Sequence, residues 1–255
     1  MKITLLQTDI RWNDAAANIA EAERLMAGHP GSDLYVLPEM WATGFVTSPD
    51  GETARQSAAA LEWMIRTARD RRCHMAGTLA VSEAGTFRNR FYMVGPDGPA
   101  DFYDKRHLFT YGGETDGYTA GRRRVVATCC GVRLLLATCY DLRFPVFLRN
   151  RGDYDGIVCV ASWPRSRQDA WDTLLRARAI ENQCFVAAVN RVGADPACEY
   201  GGGTTWVDAY GRTPGGLPLY GQRAAVSFTP DLARQEAFRA KFPVLADADA
   251  FSLEA

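Results

Sequence analysis

The sequence lacks several features that would indicate particular classes of protein. No run of apolar residues is long enough to span a bilayer. Lysine and arginine (29) nearly balance aspartate and glutamate (30), so we expect no basic surface for nucleic acid or for an anionic membrane. There is no Cys-x-x-Cys pair, and the three histidines, His29, His74 and His107, are widely separated. We therefore expect no zinc or other metal site, and no cofactor.

The cysteines do not form the pattern of a disulfide framework. There are seven of them, an odd number without even spacing. Residues 1–7 enter a strand-like pattern directly, which does not resemble a secretory signal. These features favour a protein of the reducing cytoplasm that has no membrane partner.

The residues that are present are typical of an α/β protein. Apolar residues make up 47% and charged residues 23% of 255 positions, which predicts one globular domain over residues 1–255. Short apolar segments predict many strands, and helices are predicted after a cap at residue 13 or 14 and over residues 53–71, 168–182 and 231–241. We expect two layers of sheet covered by helices, and a tail over about residues 243–255 that packs on a neighbouring subunit.

The stretch from Thr138 to Pro145 is the first candidate for a functional segment. Residues 132–137 are mostly apolar and predict a buried strand that ends at Cys139, while Pro145 suits the first turn of a short helix. A cysteine at the carboxyl end of a buried strand lies where α/β enzymes place reactive groups. The N–H of the next residue, Tyr140, can then point at a substrate oxygen. From this stretch alone, a buried core cysteine is an equally good interpretation.

Glu39 and Lys105 also follow predicted strands at their carboxyl ends. In a consecutive α/β arrangement these ends share one edge of the sheet, so both side chains would converge on Cys139. Glu39 could accept the thiol proton, and Lys105 could stabilise an oxyanion, which is the chemistry of amide hydrolysis through a thioester. We expect such a nucleophile to have a lowered pKa. Taken singly, Glu39 also fits a loop carboxylate and Lys105 an exposed charged turn.

Three segments in register resemble the signatures of the nitrilase (carbon–nitrogen hydrolase) superfamily: residues 37–39 (LPE), 103–109 (YDKRHLF) and 139–145 (CYDLRFP). The likeness extends over nearly the whole chain. It implies a four-layer αββα sandwich that a dimer extends to αββα-αββα. It also implies a triad in which Glu39 is the base, Lys105 the oxyanion stabiliser and Cys139 the nucleophile. A second glutamate near the triad is part of the same pattern, and Glu114 is the candidate.

The flanking segments are most similar to those of the bacterial ω-amidases. Tyr140-Asp141 follows the nucleophile where true nitrilases have Trp-Glu, which favours amides over nitriles. The resemblance implies hydrolysis of the ω-amide of 2-oxoglutaramate or 2-oxosuccinamate to the acid and ammonia. Deaminated glutathione, or another small aliphatic amide or nitrile, is the alternative substrate for the same triad. A Cys-His-Asp hydrolase using His107 and a catalytically silent interaction module are further alternatives. Val146 departs from the pattern, because many relatives carry Glu there.

A small substrate that carries a carboxylate requires a cation in its pocket. Arg165 and Arg167 follow the strand end at residue 163 and are the candidates, although a solvated pair at a helix start is an equally good interpretation. Arg143 is expected instead to pair with a local carboxylate, and His107 to make a structural hydrogen bond. The aromatic residues that we expect around the site are Phe45, Phe109, Tyr111, Tyr140 and Trp163.

Overall fold

A computed structural model describes residues 1–214 and 217–253. Its strands, in chain order, are β1 (Ile3–Gln7), β2 (Leu34–Val36), β3 (His74–Glu83), β4 (Thr86–Gly95), β5 (Gly98–Asp104), β6 (Val126–Cys129), β7 (Val132–Thr138), β8 (Gly156–Ala161), β9 (Phe185–Asn190), β10 (Val192–Ala194), β11 (Glu199–Val207), β12 (Leu219–Tyr220) and β13 (Ala224–Phe228). They form two sheets. The first has the order β13-β1-β2-β3-β4-β5, and the second has the order β10-β11-β9-β8-β7-β6 with β12 beside β11.

The helices are α1 (Ala15–Ala27), α2 (Gly51–Arg71), α3 (Glu114–Gly117), α4 (Pro145–Leu148), α5 (Gln168–Glu181) and α6 (Leu232–Lys241). Helices α1 and α2 contact the first sheet, and α5 contacts the second. The Gln235 side chain of α6 is hydrogen-bonded to the backbone of Phe185 and Asp155, beside the second sheet. None of the described helices combines the length and the apolarity that crossing a bilayer requires.

The layering follows from the two-residue period of the strands. In β2, Leu34 and Val36 join the apolar core between the two sheets, whereas Tyr35 joins a second core under α1 and α2. Alternate side chains of a strand point to opposite faces, so one short strand supplies both cores. Helices therefore cover the outer face of each sheet. The αββα sandwich expected from the sequence is confirmed.

Parallel pairing places the functional ends of the strands together. In the first sheet, β1 is parallel to β2 and β2 to β3, while in the second sheet β7, β8 and β9 are parallel neighbours. Strands β8 and β9 are buried along their whole length, as expected of parallel strands covered on both faces. The chain leaves β7 at Cys139 and β8 at Ser162, on the same edge of the second sheet.

Several bounds differ from those predicted. Helix α2 begins at Gly51 rather than at residue 53, and α6 begins at Leu232 rather than at residue 231. Strand β11 begins at Glu199 in a glycine-rich segment, because its pairing with β10 outweighs the weak strand propensity of glycine. In the described part of the tail, the Arg151 guanidinium lies 4.4 Å from the Phe251 ring centroid of the same chain. Residues 254 and 255 of the predicted tail lie outside the described residues. Packing of the tail on a neighbouring subunit stays a prediction.

Candidate active site

Cys139 lies in a strained turn at the carboxyl end of β7. Its φ is +46°, in the left-handed region, and the short 3-10 helix Cys139–Arg143 follows directly. A residue other than glycine in this region costs about 1–3 kcal/mol, so the surrounding structure must hold it there. The turn ends the buried strand and brings the Cys139 side chain to the wall of a cavity.

The buried carboxylate of Asp141 holds this turn. It accepts hydrogen bonds from the Thr138 N–H (2.9 Å), the Tyr103 hydroxyl (2.8 Å) and the His107 backbone N–H (3.2 Å). The Nδ1 atom of His107 lies 2.7 Å from Asp141 Oδ1, and the His107 ring stacks on Phe144 at a centroid distance of 3.8 Å. The structural hydrogen bond expected for His107 is therefore present.

Glu39 follows β2 and is completely buried. Its Oε2 atom accepts a hydrogen bond from the Ser162 N–H (2.9 Å), and its Oε1 atom accepts from Asn89 Nδ2 (2.8 Å) and Lys105 Nζ (2.8 Å). The charge of the Glu39 carboxylate also acts on the nearby Cys139 thiol and raises its pKa. Groups from both sheets thus meet at one carboxyl group. The three predicted strand-end residues lie in one cluster, and their catalytic roles stay predictions.

Lys105 lies between two buried carboxyl groups. Its Nζ atom is 2.8 Å from Glu39 Oε1 and 2.7 Å from Glu114 Oε2. Glu114 Oε2 also accepts from the Phe109 N–H at 2.6 Å, and Asn89 Nδ2 is 2.8 Å from Glu114 Oε1. The predicted position of Glu114 beside Lys105 is therefore observed. An ammonium group has three protons, so two are used here and one remains for a further acceptor.

Burial and charge together set the protonation of this cluster. Burial acts to lower the pKa of Lys105, but the Glu114 and Glu39 carboxylates raise it well above its ordinary value, so Lys105 stays a cation. Burial raises the pKa of Glu114, and Lys105 opposes this shift. Burial, followed by Glu39, raises the pKa of the Cys139 thiol well above its ordinary value. The resting nucleophile is therefore a thiol beside Glu39, and the lowered pKa expected from the sequence is wrong.

A cavity of about 270 Å³ opens beside Cys139. The predicted residues that line it are Phe45, Phe109, Tyr140, Trp163 and Arg167. Tyr111 and Arg165 lie outside the lining: the Tyr111 side chain is 88% exposed, and Arg165 Nη1 is 4.0 Å from Glu199 Oε2. Arg165 and Arg167 are two residues apart on the 3-10 helix Arg165–Arg167, which has three residues per turn, so their side chains point in different directions.

Two guanidinium groups line the cavity. Arg143 Cζ lies 4.9 Å from the Trp163 ring centroid, and Arg167 Cζ lies 5.2 Å from the Phe109 ring centroid. Within residues 1–214 and 217–253, neither forms an ion pair with a carboxylate. The expected pairing of Arg143 with a local carboxylate is wrong, since the nearby Asp141 bonds to Tyr103, His107 and Thr138 instead. Both arginines are placed to bind an anion in the cavity.

The sequence analysis missed Asn89 and one side of the cavity. Asn89 lies inside β4, where asparagine is uncommon, and a buried amide in a strand is a signal that it has polar partners. The missed cavity residues are distant in sequence and follow no motif: Trp12, Thr47, Asp195, Pro196, Ala197, Cys198 and Tyr200. Within the described ranges, the one cluster of metal-ligating side chains lies elsewhere, at His74, Cys129 and Cys130.

Comparisons with known proteins agree with this arrangement. The family model described as carbon-nitrogen hydrolase matches residues 2–224. The chain is 40% identical over 254 residues to a protein named omega-amidase YafV of Escherichia coli (strain K12), covering 99% of this chain and 98% of the relative. It is 36% identical to a 2-oxoglutaramate amidase of Bacillus subtilis (strain 168), covering 82% of this chain and 83% of the relative.

A solved structure is similar over the same extent. The chain matches a CN-hydrolase superfamily protein of Xanthomonas campestris with a TM-score of 0.92 and 38% identity, covering 100% of this chain and 99% of that one. That structure is described as having an arsenic adduct in its active site. Both the sequence and the fold are thus similar to those of known members over nearly the whole chain, and the chain belongs to the carbon-nitrogen hydrolase family of the nitrilase superfamily.

Proposed function

We propose that this protein is an ω-amidase, which hydrolyses the ω-amide of small 2-oxo dicarboxylic acid monoamides such as 2-oxoglutaramate and 2-oxosuccinamate. The observation that carries the proposal is the buried cluster of Glu39, Lys105 and Cys139, at the wall of a cavity that two arginines line. The names of the relatives in E. coli and B. subtilis support the same substrate class.

In the first half of the reaction, Cys139 attacks the amide carbon. Glu39 takes the thiol proton as the C–S bond forms, so a thiolate need not exist beforehand. The remaining proton of Lys105 Nζ and the Tyr140 N–H stabilise the oxyanion. When the C–N bond breaks, Glu39 gives its proton to the leaving nitrogen, and ammonia departs. Glu114 keeps Lys105 in position through the 2.7 Å contact.

In the second half, a water molecule attacks the thioester. Glu39 accepts a proton from this water, the C–O bond forms, and the C–S bond breaks. The proton then returns from Glu39 to the Cys139 sulfur, which regenerates the thiol. The acid product leaves the cavity. Ser162 and Asn89 hold the Glu39 carboxylate in one orientation throughout both halves.

The substrate carboxylate is assigned to the two arginines of the cavity. Arg143 and Arg167 rest on Trp163 and Phe109, and these cation–π contacts position the guanidinium groups without pairing them with a carboxylate. A free guanidinium group binds a carboxylate through charge-assisted hydrogen bonds. Amides that lack a carboxylate would leave both cations unpaired, so the cavity favours acidic substrates.

Ammonia release from 2-oxoglutaramate by the wild type and by Cys139→Ala tests the proposal. Glutamine, a simple nitrile and deaminated glutathione serve as comparison substrates. We expect release from 2-oxoglutaramate that is absent in the variant. Turnover of only another compound would keep the triad and replace the substrate, while no turnover of any would contradict an amidase.

A pair of variants tests Glu39 as the base. We expect Glu39→Gln to lower kcat about 10²- to 10⁴-fold, because a positioned base contributes that much. His107→Gln should retain far more activity, since His107 bonds to Asp141 rather than to the nucleophile. The opposite order would favour a Cys-His-Asp hydrolase.

We also propose a cytoplasmic location and a homodimer. All seven cysteines are free, as is usual in a reducing compartment. The family resemblance supports the dimer.

A further inference from the structure

The hairpin between β6 and β7 places two cysteine thiols beside a histidine imidazole. One ring nitrogen of His74 and the sulfur atoms of Cys129 and Cys130 all lie within 4.8 Å of one another. His74 begins β3 in the first sheet, whereas Cys129 ends β6 in the second, so the cluster joins the two sheets. It shares no residue with the cavity beside Cys139.

The conformation of Cys130 makes this cluster possible. Consecutive side chains of an extended strand point to opposite faces, so neighbouring cysteines would ordinarily be kept apart. Here Cys130 has φ +48° and Gly131 has φ +78°, which are the left-handed values of a tight hairpin turn. The first position of such a turn favours Asn, Asp or Gly, and cysteine departs from this preference. The backbone conformation of Cys130 is thus unfavourable for a cysteine, but it places the sulfur atoms of Cys129 and Cys130 on the same side of the hairpin, beside His74.

His74 has an unpaired ring nitrogen among the described residues. Its Nδ1 atom is buried and has no hydrogen-bond partner among the described residues, although a buried ring nitrogen ordinarily has one. On the other edge of the ring, a Cβ added at Gly95 would lie 3.3 Å from His74 Nε2, so the glycine leaves space for the imidazole. The nearby Asp33 carboxylate adds negative charge that acts on Cys129.

We propose that His74, Cys129 and Cys130 bind a zinc-class divalent cation, with a fourth position open to water beside the exposed Cys130. Two thiolates and one imidazole form a ligand set that zinc uses when it keeps an open position. Ideal tetrahedral bonds would place these donor atoms ~3.5–3.8 Å apart, so atoms that now lie within 4.8 Å of one another would have to move closer by at most ~1.3 Å. Binding replaces two S–H bonds by two metal–sulfur bonds and releases both protons to solvent.

Such an ion would connect the two sheets at their edge. It would join the β6–β7 hairpin to the start of β3. Because an ion that binds the folded state alone stabilises it, Zn²⁺ should raise the midpoint of thermal unfolding, and the rise should grow with the logarithm of the free Zn²⁺ concentration once the site is saturated.

The test uses Cys139→Ala protein under a thiol-free reductant, so that the active-site thiol cannot bind the metal. Cd²⁺ is titrated while the thiolate charge-transfer band is recorded, and Zn²⁺ affinity is measured by competition with a chromophoric chelator. We expect one ion per chain. A second substitution in this protein, Cys130→Ala or His74→Gln, should weaken Zn²⁺ binding at least about tenfold. Losing even a residue that only hydrogen-bonds to a metal ligand lowers metal affinity by that factor.

Cys73→Ala is the matched control. Cys73 is a buried cysteine that precedes His74 in the sequence, but it is not part of the cluster. It should leave Zn²⁺ affinity unchanged. Absence of a stoichiometric ion, or binding that Cys130→Ala and His74→Gln do not weaken, would overturn the proposal. Cys129→Ser need not fold, since Cys129 is completely buried, and the other two variants do not depend on it. Zn²⁺ should also slow alkylation of Cys130 but not of Cys198 in the same sample.

Discussion

Single residues of the active site differ sharply in how much their roles depend on burial. Glu39, Lys105 and Glu114 are completely enclosed, so each charge is compensated by a neighbour at 2.7–2.8 Å rather than by water. Cys139 lies at the cavity wall and is still mostly buried, and this burial raises the pKa of its thiol, which stays protonated at rest. Arg143 and Arg167 instead face the cavity, where their charge remains available to a ligand. Catalysis and substrate recognition thus use charges in different environments.

Replacing Arg167 by glutamine should weaken binding of acidic amides selectively. A hydrogen bond to a charged group contributes about 1.5–3 kcal/mol, so we expect KM for 2-oxoglutaramate to rise roughly 10- to 100-fold with kcat little changed. The KM for an uncharged amide such as butyramide should hardly change. Arg165→Gln is the control, since Arg165 lies outside the cavity lining. Equal effects on both substrates would remove Arg167 from carboxylate binding.

Alkylation of Cys139 should depend steeply on pH. Because its pKa is raised above the ordinary value, the thiolate fraction is small at neutral pH and grows about tenfold per pH unit until the pH reaches that pKa. Peptide mapping after limiting iodoacetamide at pH 7 should therefore find the exposed Cys130 labelled before Cys139. A labelling rate of Cys139 that is already constant below pH 8 would show a thiolate at rest.

At the scale of elements, the turn after β7 is held from two sides. Asp141 connects it to the loop after β5 through Tyr103 and His107. On the other side, the Arg178 guanidinium of α5 donates to the Leu142 carbonyl from Nε (3.0 Å) and Nη2 (2.7 Å). The strained φ of Cys139 is thus fixed by elements distant in sequence, which keeps its sulfur beside Glu39.

Asp141→Asn tests how much this support contributes. The amide keeps the size of the side chain but replaces one acceptor oxygen by a donor, so at least one buried donor loses its partner. We expect the free energy of unfolding to fall by about 1–3 kcal/mol, measured in urea, together with a lower kcat. Asp116→Asn, in an exposed position of α3, should change stability by no more than about 0.5 kcal/mol. Equal stability in the two variants would contradict the role of Asp141.

At the scale of the whole molecule, two sheets share one core, and helices cover their outer faces. Some large apolar side chains nevertheless remain exposed on the helical face of the second sheet. Val146 of α4 is 53% exposed and Ile180 of α5 is 51% exposed. Val146 thus adds apolar surface to this face. Exposed apolar groups of this kind are expected where a second subunit packs.

The homodimer predicts a mass of two chains by light scattering. Val146→Asp combined with Ile180→Asp should shift that mass towards one chain, because a charge buried in an interface without a partner is costly. Tyr111→Asp is a suitable control, since Tyr111 is exposed elsewhere on the chain. A monomeric wild type at all concentrations would contradict the dimer.

The sequence alone determined the layered fold and the triad candidates, because both depend on local order along the chain. Alternating apolar residues set the strands, and the end of each apolar run placed Glu39, Lys105 and Cys139 at strand ends. Contacts between distant elements decided the rest. Packing placed Asn89 between the two carboxyl groups, turned Arg165 away from the cavity, and joined His74 to the cysteine pair. The periodicity of the sequence does not reveal how deeply Cys139 is buried. This burial raises the pKa of Cys139, which is opposite to the direction expected from the sequence.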